Sequence, residues 1–123
     1  MNKRVPRTYP VCQVLSVYDG DTIRVDVDRG ARIHTRDWLR LKDVRAPELR
    51  EADGPAAKAD VVAWLNEYAP DGMVEVTTFW SQGDLKEINE QMTFLRYVAE
   101  VRSPSGVELG GWLRAKGWID RGE

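Results

Sequence analysis

Between Thr22 and Asp28 the side chains alternate strictly, with Ile23, Val25 and Val27 on one side and Arg24, Asp26 and Asp28 on the other. A two-residue period of this kind describes a strand with one buried and one wet face. Such a strand needs neighbours, and the chain supplies four more candidates. Val11 to Tyr18, with Val14, Leu15 and Val17, runs into an Asp19-Gly20 turn. Arg29-Gly30 marks the next turn, and residues 32–44 form an extended segment carrying Ile33, Trp38, Leu39, Leu41 and Val44. Its polar Thr35-Arg36-Asp37 predicts a bulge or bend. Met73 to Trp80 is a fourth strand and Met92 to Val101 a fifth, the latter with Leu95, Tyr97, Ala99 and Val101 opposite Phe94, Arg96, Val98 and Glu100.

Two helices interrupt this order. Gly54-Pro55 opens one that continues to about Tyr68, proline being suited to a first helical turn. Leu109 to Lys116 reads as a second, weakened by Gly110-Gly111 and stopped at Gly117. Residues 81–91 form a polar connection in which Leu85 and Ile88 suggest one helical turn. Three strands, a helix, two strands and a helix define a mainly β chain of the α+β class: a five-stranded barrel of the OB type, partly open and capped by helices.

With 123 residues the chain has room for one moderate core. Residues 1–9, basic and interrupted by Pro6, read as a loose arm, and 10–123 as a single domain. A formal charge of −2 argues against a surface that coats nucleic acid, but leaves room for a site with local positive charge that releases its product. Thirteen of the eighteen basic residues are arginine, the side chain suited to bidentate phosphate contacts, although a high-GC genome gives the same bias. Cys12 is the only cysteine, which excludes an intrachain disulfide and, with a single histidine, a Cys/His zinc site. Cys12 is expected in the core and His34 on a strand surface. The basic N-terminus is followed by no apolar run, and no stretch approaches the roughly 18 apolar residues of a membrane span. The expectation is a cytoplasmic monomer of bacterial or bacteriophage type.

The chemistry-bearing stretch is Leu39 to Arg50, Leu-Arg-Leu-Lys-Asp-Val-Arg-Ala-Pro-Glu-Leu-Arg, read with Asp19-Gly20-Asp21-Thr22. Carboxylates suit a hard cation, guanidinium groups match phosphate oxygens, and a further glutamate can accept a proton from water.

These residues carry a resemblance. The ordered set Asp19-Gly20-Asp21-Thr22, Arg40-Leu41, Ala46-Pro47-Glu48, Gly54-Pro55 and Arg96, spread over about Val14 to Gly117, resembles the staphylococcal nuclease family. The resemblance implies an OB-fold and calcium-dependent cleavage of DNA or RNA. It implies that Asp21 is a direct calcium ligand, that Asp19 is an acidic neighbour behind it, and that Ala46 offers its backbone carbonyl to the metal. By the same resemblance Arg40 and Arg96 hold the scissile phosphate and Glu48 is the general base.

The chain departs from the pattern at Arg45, where the family carries a second calcium-binding aspartate. Two arrangements remain open: Arg45 turned out of the pocket, with a weaker metal site completed by Asp43 or Glu48 and water, or its guanidinium in the cation's place beside Asp21. The second leads to an alternative function, a catalytically weakened or inactive OB module that binds nucleic acid or a protein partner. Leu95 replaces a common glycine, Met92 an acidic residue and Phe94 a frequent tyrosine.

Overall fold

The computed structural model describes residues 6–47, 51–79 and 96–119, with Arg96 described by its backbone alone. Glu48, residues 81–91 and the expected first part of the last strand at 92–95 lie outside the described residues. The elements are β1 (Arg7–Val17), β2 (Thr22–Asp28), β3 (His34–Leu41), α1 (Gly54–Tyr68), β4 (Met73–Phe79), β5 (Arg96–Arg102) and α2 (Leu109–Ala115). The strands close into a barrel in the order β1-β2-β3-β5-β4, antiparallel except between β3 and β5. The mainly β, α+β architecture with a helix after the third strand and another near the end is as expected. The barrel is closed rather than partly open.

Closure depends on β1. This 11-residue strand pairs with β2 along Cys12 to Val17 and with β4 along Arg7 to Gln13. Its register slips between Tyr9 and Cys12 and again between Val14 and Ser16. Irregularities of this kind bend a strand and raise its twist, which lets one strand serve both edges. Residues 7–9, expected in the loose arm, belong instead to β1. Arg7, Thr8 and Tyr9 pair with Thr78, Thr77 and Val76, and the Thr8 and Thr77 hydroxyls share a hydrogen bond of 2.8 Å.

The alternation in β2 packs as read. Ile23, Val25 and Val27 are buried in the barrel with Leu39 and Leu41 of β3, Val74 and Val76 of β4, Ala99 and Val101 of β5, and Cys12. Burial pushes the Cys12 thiol up to about 11, so it is an inert core group. The bulge expected at Thr35–Asp37 is absent. β2 and β3 pair in unbroken register from Thr22↔Arg40 to Asp28↔His34. Thr35 and Asp37 have the parity of the buried Leu39 and Leu41, and Arg29 makes that position tolerable. Its guanidinium donates to Thr35 Oγ1, Asp37 Oδ2 and the Tyr9 hydroxyl, each at 2.8 Å, plugging one end of the barrel. β3 is bounded by residues in the left-handed region, Ala31 and Arg32 before it and Asp43 after it, which shortens the expected 32–44 segment. His34 is exposed, as expected, and contacts Asp26 Oδ1 at 2.7 Å.

The opposite end is covered by the helices. α1 presents Ala57, Val61 and Trp64 at helical spacing, all fully buried, and α2 presents Leu109 and Leu113. Gly117, at φ +105°, ends α2 in a conformation that side chains disfavour. Beyond it the Trp118 indole donates to Asp60 Oδ2 of α1 at 2.8 Å, and Ile119 bridges to Val44. Among the described residues no helix is long and apolar enough to cross a membrane.

Candidate active site

The helix-covered end holds a cavity of about 510 Å³, lined by Asp19, Asp21, Arg40, Arg45, Ala46, Pro47, Glu51, Asp53 and the 117–119 segment. The β1–β2 turn forms one wall. Both Tyr18 and Asp19 amides donate to the Thr22 carbonyl, and the Asp21 amide donates to Asp19 Oδ1 at 3.1 Å. Asp21 is tied across the barrel mouth, because its carbonyl accepts from the Leu41 amide at 2.8 Å. That bond sets the acidic turn beside Arg40, whose backbone pairs with Thr22.

Gly20 is the residue that permits this approach. A β-carbon there would lie 2.6 Å from the Ala46 Cβ and 2.6 Å from the Ala57 Cβ. The turn, the Ala46-Pro47 segment and the first turn of α1 thus meet at a point with no room for a side chain.

Asp21 points its carboxylate into this junction. Oδ1 accepts from the Thr22 hydroxyl at 3.0 Å and Oδ2 from the Ala46 amide at 3.4 Å. The group of Ala46 seen contacting Asp21 is therefore its N–H, where the resemblance assigns its carbonyl to a metal. Asp19 is 6% exposed, and burial, reinforced by the neighbouring Asp21 carboxylate, pushes its carboxyl up to about 6.

Of the expected site residues, Asp19, Asp21, Arg40 and Ala46 share this one cavity. Glu48 lies outside the described residues. Arg96 opens β5 with its backbone paired to Trp38, two residues before Arg40 on β3. Arg45 is exposed and lines the same cavity as Asp19 and Asp21.

Glu51 and Asp53 line the cavity too, and sequence reasoning did not single them out. The available signal was their position immediately before Gly54-Pro55, since a helix start on the cavity wall brings its preceding residues to the rim. They alter the electrostatics. The described lining holds four carboxylates against two guanidinium groups, a net negative wall.

Oxygen donors and a net negative lining suit a hard cation. Among the described residues, however, no three His, Cys, Asp or Glu groups converge to hold a metal ion. One direct carboxylate, already accepting from Thr22 and Ala46, leaves most of the six to eight positions around calcium to water. The residues fit a loosely held, largely hydrated cation rather than a caged one.

Fold and cavity together define an OB-type barrel with an arginine- and carboxylate-lined pocket at its helix-covered mouth. No family model matches the sequence, and no curated protein does.

Proposed function

We propose that the chain is a small nuclease of the staphylococcal type, hydrolysing phosphodiester bonds of DNA or RNA. The observation that supports this most directly is the meeting of Asp19, Asp21, Arg40 and Ala46, far apart in sequence, in one cavity.

In this reading Arg40 takes two oxygens of the scissile phosphate through its planar fork and holds the added charge of the pentacovalent state. Arg96, by resemblance, takes another phosphate oxygen, and Glu48 accepts the proton of the attacking water. Asp21 and the Ala46 carbonyl would hold the calcium ion, with Asp19 behind them. Bound there, the ion would polarise the phosphate and steady the developing charge. Burial of Asp19 strengthens the attraction of its carboxylate for a cation relative to open water. Digestion of single-stranded DNA tests the proposal: fragments are expected with calcium and none with chelator.

Arg45 on the cavity wall supports a second reading, a binder whose cation is its own guanidinium. Thermal melting in calcium separates the two. A site with calcium affinity on the order of 1 mM stabilises the fold by roughly 1.4 kcal/mol at about 10 mM calcium. Arg45→Asp is expected to tighten the site about tenfold and raise that gain to roughly 2.7 kcal/mol. A wild type with no calcium shift, beside a variant that gains one, favours the binder.

A further inference from the structure

The outer face of β2 and β3, next to the cavity, carries an aromatic cluster that the proposed chemistry does not use. Leu39 and Leu41 point into the barrel, so Trp38 and Arg40 share the outer face of β3. Arg24 is the cross-strand neighbour of Trp38, and its guanidinium lies over the Trp38 ring, 5.4 Å from the centroid. Tyr18, the residue just before the acidic turn, stands edge-to-face with Trp38, with centroids 6.0 Å apart and planes at 81°.

Tyr18 is 56% exposed although its ring is held by this contact. An exposed aromatic ring fixed in place offers stacking area at little further entropic cost. The surroundings are basic on the cavity side, with Arg24 beside the pair and Arg40 two residues along β3. The acidic Asp26 lies farther toward the β2–β3 turn, contacted by His34 and approached by Arg36 at 4.0 Å. Arg24 Nε is enclosed and has no hydrogen-bond partner among the described residues, and the guanidinium carbon lies over the Trp38 ring.

We infer that Tyr18, Trp38 and Arg24 form a base-stacking station for single-stranded nucleic acid, one nucleotide step from the phosphate held at Arg40. The inference rests on the phosphodiester reading of the cavity. Two residues along a strand span about 6.6 Å, so a base stacked at Tyr18 and Trp38 leaves its adjoining phosphate within reach of Arg40. Duplex bases are already stacked on one another and are excluded from this arrangement.

The test is equilibrium binding of a fluorescent oligothymidylate of about eight nucleotides, followed by anisotropy in chelator so that no turnover occurs. A sugar-phosphate strand of the same length without bases is the comparison. Wild type is expected to bind the oligothymidylate more tightly than the baseless strand. Tyr18→Ala is expected to lose roughly 5- to 100-fold in affinity, to the level of the baseless strand. Tyr18→Phe should retain it, since stacking does not need the hydroxyl. Ile33→Ala, equally exposed but at the β2–β3 turn, should leave it unchanged. Equal binding of the two strands by wild type, unchanged affinity in Tyr18→Ala, or equal competition by duplex would each overturn the station. Because binding is read without turnover, those results leave the hydrolytic reading standing. Intact stacking without cleavage in calcium would remove the hydrolytic reading alone.

Discussion

Replacing Arg40 with glutamine is expected to lower the rate of phosphodiester cleavage by about 10²–10³-fold while leaving the melting temperature nearly unchanged. The two halves of this expectation come from different parts of the residue. Its backbone holds the fold together, pairing with Thr22 on β2 and Val98 on β5. It lies on the outer face of β3 and lines the cavity that Asp21 also lines. Glutamine keeps the strand position and a polar tip but loses both the charge and the two-pronged geometry that match a phosphate. Lysine restores the charge without the fork and should recover only part of the activity. Steady-state digestion of a fluorescent oligonucleotide, with melting followed by circular dichroism, checks both halves. A variant as active as wild type would place the chemistry elsewhere.

The second large effect is expected at Gly20, where neither charge nor catalysis is touched directly. Gly20→Ala sets a methyl group 2.6 Å from the β-carbons of both Ala46 and Ala57. Ala57 is fully buried in the first turns of α1 and is not free to move alone, so the β1–β2 turn must shift instead. Overpacking of this kind costs about 1–3 kcal/mol. The displaced segment carries Asp19 and Asp21, and a misplacement of about 1 Å can reduce activity by about 10²-fold. Urea unfolding and digestion assays on the folded variant measure the two effects separately. Stability lost with activity intact would mean that the acidic turn does not position the reaction.

The sequence was most informative where one rule governed a segment. β2 was legible to the residue because its alternation sorted core from solvent, and α1 because Gly54-Pro55 marked its start. The β1–β2 turn and Arg40 fell together in space as their order along the chain implied, since a hairpin register places Thr22 opposite Arg40. Long-range partners were less legible. The first residues of β1 are polar and exposed, and only β4 across the barrel makes them a strand. Thr35 and Asp37 looked like an interruption because their partner, Arg29, reaches them as a side chain rather than through the ladder. Glu51 and Asp53 entered the cavity through the loop before α1, a placement that Gly54-Pro55 signals only once the helix start is known to lie on the cavity wall. The same limit applied to Arg45, which sits on the cavity wall with the acids and changes the electrostatics without abolishing the pocket.

Hydrolysis of phosphodiester bonds at this cavity is tested by digesting single-stranded DNA in calcium with wild type and Glu48→Gln purified side by side. Wild type is expected to fragment the DNA only with calcium and to stop in chelator, and cleavage by the variant should fall at least about 10²-fold through loss of the base. Equal cleavage by the two proteins, or no cleavage by wild type at any calcium concentration, would contradict it.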